Sequence, residues 1–293
     1  MHDHPRTYTT PLIKLDRISR ELGLDVYAKL EYTQPTGSHK DRETLMMIQD
    51  AISRGYREIA IASTGNAAIS LSFFSRINGL KCHVFARENI AGEKIELIKA
   101  LGAELHLAGD SLREAFQTCI EYINQHNIYD ANPGRNFKKI EGDSTISIEI
   151  SYQLEEEPSH VIIPTNNGTL YVGIWLGFTK TKYRPKLIGA IAPTTKLADS
   201  IAGFSKLDEQ ELNKALNESK GTLIEVSDDE ILNATKQLYK ENIPCEPASA
   251  TTLAALQKLN KNQQPDKPAV LIITGTAIRF PKTLRNILQE SRA

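Results

Sequence analysis

The stretch E-Y-T-Q-P-T-G-S-H-K-D-R-E, Glu31 to Glu43, joins an apolar run (Asp25 to Leu30) to an amphipathic one (Thr44 to Ile52). The first run has the character of a strand and the second the spacing of a helix, so the stretch between them is a strand-to-helix turn. Pro35 and Gly37 end the strand, and Ser38 is placed to cap the helix behind it. Lys40 then falls in the first helical turn, where the positive end of the helix dipole disfavours an ammonium. A lysine so placed is a candidate nucleophile; the plain alternative is a solvated lysine at a helix start.

Working outward, the same alternation recurs along the chain. Glu58 to Ala62, Lys81 to Ala86, Glu104 to Leu107, His160 to Pro164, Lys186 to Ala190, Thr222 to Val226 and Ala269 to Ile273 read as strands. Between them, Ala67 to Ile77, Ile90 to Leu101, Leu112 to Ile123, Ile146 to Leu154, Leu170 to Phe178, Asp229 to Leu238 and Ala250 to Leu259 carry apolar residues at helical spacing. This predicts an α/β fold of open, mostly parallel sheets with flanking helices. Ser205 to Ser219 and Lys261 to Lys267 are polar and read as surface excursions.

A chain of 293 residues that is 40% hydrophobic can build one large or two modest domains. With 35 basic and 36 acidic residues it has no field to attract nucleic acid or an acidic membrane, and neither is expected as a partner. No apolar run approaches the ~20 residues of a membrane span, and Met1 to Thr10 is polar, so a soluble cytoplasmic protein is expected. Cys82, Cys119 and Cys245 are odd in number and lack C-x-x-C spacing, which points to buried or incidental thiols, not to a disulfide or zinc framework. His83 and His106 lie in predicted strands and read as core or edge residues, so no metal is expected.

Other strand-to-helix junctions carry the remaining candidates. In I-A-S-T-G-N-A-A-I-S (Ile61 to Ser70), successive backbone N-H groups at Ser63, Thr64 and Gly65 can point at one anion, or the turn is an ordinary βα connection. In V-I-I-P-T-N-N-G-T-L-Y-V-G (Val161 to Gly173), Asn166, Asn167, Gly168 and Thr169 open a helix as a phosphate cradle would, with close backbone approach at Gly168. In I-T-G-T-A-I-R-F-P (Ile273 to Pro281), Thr274 places a hydroxyl at the carboxyl edge of the sheet, where ligands of open α/β sheets bind. Between Tyr129 and Ile150, Arg135, Lys138 and Lys139 supply cations that are either solvated or grip a phosphate. Asp130 would repel such a phosphate unless it points away. In Pro244 to Leu256 packing is the expected role, with Glu246 the exception as an acid at a helix entry.

P-T-G-S-H-K-D-R resembles the cofactor-lysine motif of the threonine synthase branch of the pyridoxal-phosphate enzymes of the tryptophan synthase β type (fold type II), which usually reads P-T-G-S-F-K-D-R-G. His39 and Glu43 are departures. The resemblance extends from Gln34 to Pro281 and implies that Lys40 is the Schiff-base lysine. It implies that Ser63, Thr64 and Gly65 hold the substrate carboxylate, that Asn66 meets the cofactor ring oxygen, and that Asn166 to Thr169 bind its phosphate. Thr274 would meet the pyridine nitrogen. Glu141-Gly142, Thr145 and Glu149 match the family's E-G-x-x-T-x-x-x-E, and either Arg135 or Lys139 stands in for its substrate-phosphate arginine. Asn166 replaces a family glycine, which asparagine tolerates at positive φ; Thr276 and Ala277 replace a His-Gly pair. The same likeness implies a large cofactor domain (1–41 and 133–293), a small mobile domain closing on substrate (42–132), and a homodimer. The activity it implies is conversion of O-phosphohomoserine and water to threonine and phosphate. A serine or threonine ammonia-lyase, a β-replacement enzyme on an activated serine, and a non-catalytic pyridoxal-phosphate binder remain open.

Overall fold

The structure, a computed structural model, describes residues 8–89, 92–203, 209–260, 267–279 and 285. The strands are β1 (Leu12–Lys14), β2 (Val26–Leu30), β3 (Glu58–Ala62), β4 (Lys81–Ala86), β5 (Glu104–Leu107), β6 (Tyr129–Asp130), β7 (His160–Pro164), β8 (Lys186–Ile191), β9 (Thr222–Glu225) and β10 (Ala269–Ile273). The helices are α1 (Asp16–Leu22), α2 (Lys40–Ser53), α3 (Asn66–Ile77), α4 (Gly92–Ala100), α5 (Leu112–His126), α6 (Lys138–Gln153), α7 (Thr169–Thr179), α8 (Glu209–Glu218), α9 (Asp228–Lys240) and α10 (Pro247–Asn260).

Two compact units divide the chain: one comprises Tyr8 and Lys40–Gly142, the other Thr9–His39 and the described residues from Asp143 onward. The first unit is built on a parallel sheet in the order β5-β4-β3-β6. The second is built on a sheet in the order β1-β2-β10-β7-β8-β9, parallel except for the β1 edge. Strands β7 (H-V-I-I-P) and β10 (A-V-L-I-I) are buried at every position, as expected for central parallel strands covered by helices on both faces. The edge strands β5 and β9 instead have exposed end residues and partly buried middle ones. Helices α5 and α9 start with capping boxes, Ser111 with Glu114 and Ser227 with Glu230, so their first N-H groups are satisfied locally.

The second unit also buries a charge. Lys29 is fully buried, and its Nζ donates to Glu149 Oε2 at 2.6 Å, Gln153 Oε1 at 2.8 Å and Thr10 O at 2.8 Å. All three ammonium hydrogens therefore have acceptors, which is what makes a buried lysine tolerable.

The strands expected from sequence are present, while several helices and short elements differ. Helix α6 begins eight residues before Ile146, because its polar first turns carry little periodicity. Residues 209–218 form helix α8 rather than a surface excursion, with Leu212 and Ala215 buried at i,i+3 spacing. Elements β1, α1 and β6 are too short to leave a period in the sequence. Positions 204–208, 261–266 and 280–281, and Ile90 at the expected start of α4, lie outside the described residues. Among the described residues, no helix is long and apolar enough to cross a membrane.

Candidate active site

In the second unit, β2, β10 and β7 are parallel neighbours, so their carboxyl ends lie side by side along one sheet edge. The loop after β2 leads into Lys40, Thr274 follows β10, and 165–168 follow β7. The lysine's lead-in is tied to the end of β10. The His39 N-H donates to Thr274 O at 2.9 Å, Ser38 bridges to Gly275, and the Arg279 guanidinium donates to the carbonyls of Thr36 and Gly37. Ser38 does not serve as the expected cap: its Oγ is buried and has no hydrogen-bond partner among the described residues.

The Thr274 hydroxyl is buried, 2.9 Å from Ser249 Oγ and 3.3 Å from Glu246 Oε1. Gly275 makes this approach possible, since a Cβ there would come within 2.6 Å of Glu246 Oε1. Glu246 thus touches a candidate site residue, while most of its neighbours in α10 pack in the core.

At the end of β7, Gly168 has φ +94° and forms the N-cap of α7. That conformation disfavours any side chain, and a Cβ would also sit 3.1 Å from Leu212 of α8. The positive end of the α7 dipole is therefore fronted by bare backbone. Thr169 N-H is met by Asn167 Oδ1 at 3.3 Å. Among the described residues only Asn127, Lys220 and Asn242 are non-glycines at positive φ, so Asn166 replaces a glycine without needing the left-handed region.

In the first unit, Lys40 is the first residue of α2, and its Nζ ion-pairs with Glu43 one turn on. The other Glu43 oxygen lies 2.6 Å from Lys139 Nζ. The Glu43 side chain is 1% exposed and that of Lys139 3%, so two ammonium groups share one buried carboxylate. The helix dipole's bias against a charged Lys40 is thereby opposed by a carboxylate at contact. Arg135 is 45% exposed and pairs with Asp130, and Lys138 pairs with Glu141 at 2.7 Å. Asp130 also accepts from Asn132 Nδ2 at 2.8 Å and Asn132 N-H at 2.9 Å, so it is held within its own loop.

Strands β3 and β6 pair in parallel, which brings their carboxyl ends together. Ser63 to Asn66 follow β3, with Gly65 as N-cap of α3 and its N-H 3.3 Å from Ser63 Oγ. Asn132 Oδ1 accepts from the Ala62 N-H at 2.8 Å, fixing the loop after β6 to the end of β3. Gly142 is explained by packing: a Cβ there would lie 2.4 Å from Arg42 O, so glycine lets α6 approach α2. Glu149 belongs to the Lys29 network described above. Glu43, Asn132, Ser249 and Arg279 were not among the sequence candidates. Only Glu43 left a signal, as a charged departure from the resembled motif.

The sequence profile of the pyridoxal-phosphate dependent enzymes matches residues 5–275. The chain belongs to the pyridoxal-phosphate dependent enzyme family. It is 30% identical to a threonine synthase of Methanosarcina acetivorans over 96% of this chain and 77% of that protein. It is also 30% identical to one of Halalkalibacterium halodurans, over 97% and 86%. Among solved structures it resembles serine racemase from Dictyostelium discoideum, with TM-score 0.82 and 25% identity over 93% and 94% of the two chains. It resembles processed threonine deaminase isoform 2 from Solanum lycopersicum with TM-score 0.85 and 22% identity over 97% and 83%. The fold is that of fold type II enzymes, and the cofactor of the family is pyridoxal phosphate. The groups present suit it: a primary amine at Lys40, a glycine-capped helix terminus at Gly168, a buried hydroxyl at Thr274 and the buried, unpartnered Ser38 Oγ.

Proposed function

We propose that this enzyme is a lyase of the threonine synthase type, converting O-phosphohomoserine and water to threonine and phosphate. The observation that carries the reading is the Thr274 hydroxyl, seated between the lead-in to Lys40 and the Gly168 loop on adjacent strand ends. A neutral hydroxyl facing a pyridine nitrogen would leave it largely uncharged, which suits elimination and replacement better than transamination. The threonine synthase relatives support the choice of substrate.

Pyridoxal phosphate, when bound, supplies an electron sink for negative charge at the carbon bearing the substrate amine. In this reading Lys40 would hold the cofactor through its amine, and the same amine is the base placed to take the substrate's α-proton. Asn166 to Thr169 would hold the cofactor phosphate at the N-terminus of α7, and Asn66 would hold its ring. Ser63, Thr64 and Gly65 orient the substrate carboxylate.

Arg135, not Lys139, is the residue suited to grip the substrate phosphate. An exposed pair such as Arg135–Asp130 contributes ~0–1 kcal/mol and exchanges partners readily. Breaking a buried pair such as Lys139–Glu43 costs roughly 3–5 kcal/mol, so Lys139 stays where it is.

A second reading rests on a different observation: both candidate cations already have carboxylate partners, which favours a hydroxy-amino acid without phosphate and hence an ammonia-lyase. Assays of the purified enzyme with O-phosphohomoserine, serine and threonine in parallel separate the two. Phosphate release with threonine formation supports the first reading, and 2-oxo acid from serine or threonine with no phosphate release replaces it by the second.

A further inference from the structure

The first unit carries a cluster of ligand-bearing side chains at the edge of its sheet, unconnected to the chemistry above. The β4–β5 register pairs His83 with Glu104 and Phe85 with His106, so all four side chains share one face. His83 Nδ1 lies 3.1 Å from His106 Nε2 and 3.7 Å from Glu104 Oε2, and His106 Nε2 lies 3.8 Å from Glu104 Oε1. Separations of this size are those between ligands of a first-row ion with bonds of ~2.0–2.2 Å.

We propose that His83, His106 and Glu104 form a binding site for a divalent first-row transition ion of the zinc class. The orientation of His83 supports it. His83 Nε2 lies 2.7 Å from Glu58 Oε2; the carboxylate accepts a hydrogen bond from the Nε2-H tautomer, in which Nδ1 is a bare lone pair facing His106. A carboxylate behind a ligating imidazole is the arrangement that fixes tautomer and ring angle in metal sites. His83 is fully buried, and the His106 ring is stacked on Phe85 at 4.5 Å, so both are held in place without an ion. With His83 Nδ1 bare, the 3.1 Å contact is a hydrogen bond from His106 Nε2-H. An ion would take that proton's place, with His106 shifting to its Nδ1-H tautomer. Two imidazoles and a carboxylate leave a fourth position for water, and His106 and Glu104, 25% and 48% exposed, leave the site open to solvent. The Lys81 ammonium, 2.9 Å from Glu104 Oε2 and 3.8 Å from Glu58 Oε2, now supplies the positive charge there; at 54% exposed it is able to swing away.

The site would clip the edge strand β5 to β4, so its occupancy is read without any activity assay. The test is calorimetric titration of the cofactor-loaded enzyme with Zn2+, in parallel with thermal unfolding. The wild type is expected to bind one equivalent more than H106Q and E104Q, which keep every other histidine, and to gain melting temperature with Zn2+ where they do not. K81A, lacking the competing ammonium, is expected to bind at least threefold more tightly. Equal stoichiometry and affinity in wild type and H106Q overturn the proposal, as does wild-type enzyme that takes up no Zn2+. Lys81 and Glu104 are exposed, and H106Q keeps a polar side chain at a partly buried position, so an unfolding midpoint without Zn2+ close to wild type shows that each variant is folded before the titrations are compared.

Discussion

The backbone N-H of His39 donates to the carbonyl of Thr274 at 2.9 Å, so the residue preceding Lys40 is fastened to the residue whose hydroxyl ends β10. Residues 235 positions apart in sequence are thus set in one place by a main-chain bond, which a substitution at either position leaves in place unless it puts proline at position 39. The position of Lys40 along the chain is thereby fixed independently of its own side chain. K40A is expected to fold, with Glu43 still paired to Lys139, and to lose about 10²–10⁴-fold in turnover. Borohydride reduction of the loaded wild type should label the peptide containing Lys40; label elsewhere removes Lys40 from its role.

Glu43 stands between two lysines at 1% exposure. Replacing it by glutamine leaves two ammonium groups without their shared counter-charge, and the expected loss of stability is about 3–5 kcal/mol. Adding Lys139→Met to Glu43→Gln should recover part of that loss, because the second variant removes one of the stranded charges. Urea unfolding of the four members of this cycle measures the coupling, and additive effects would show that Glu43 does not bridge the pair.

If the substrate carries a phosphate, Arg135 is the residue that changes partner. R135A should raise KM for O-phosphohomoserine about tenfold or more, as expected for loss of a charge-assisted contact, while activity on serine is unchanged. Equal effects on both substrates would place Arg135 outside phosphate recognition.

Gly275 leaves room for Glu246 beside the Thr274 hydroxyl, with only 2.6 Å between Glu246 Oε1 and the position of a Cβ. G275A is expected to push Glu246 aside and to destabilise the fold by about 1–3 kcal/mol through overpacking. Its cofactor absorbance should shift as the hydroxyl loses a neighbour. A spectrum and unfolding midpoint identical to wild type would contradict this packing.

Burial pushes the thiols of Cys82 and Cys119 up to about 12 and raises that of Cys245 as well. All three are buried, consistent with thiols that pack and do not react. In the unfolded chain the same groups ionise near ~8.5. Ionisation therefore favours unfolding once pH exceeds that value: the thiols' contribution is intact below about pH 8 and is lost as pH rises toward the folded values. A disulfide reagent at pH 8 should titrate no thiol in the native enzyme and three after denaturation; rapid native reaction would show that one of them is exposed.

Much of the fold was legible in the chain because central parallel strands are apolar throughout and helices between them repeat every 3.6 residues. His160 to Pro164 and Ala269 to Ile273 could hardly be read otherwise. Where an element is short or its buried stripe is two residues wide, as with Leu212 and Ala215 in α8, the local signal is weaker than the polar background, and packing decides.

The candidate site divides in the same way. The sequence by itself determined where reactive groups stand relative to strand ends: a lysine opening a helix, a glycine at a left-handed helix entry, a threonine closing a strand. These are local requirements of backbone geometry and dipole direction, and a one-dimensional string records them. Which charges neutralise one another was decided only by tertiary structure. Glu43 meets Lys139 across 96 residues, Glu149 meets Lys29 across 120, and His83 meets His106 across a strand pair. Such pairings depend on distances of a few ångströms between segments whose separation is set by the whole core, and Coulomb energy in a buried setting changes steeply over that range.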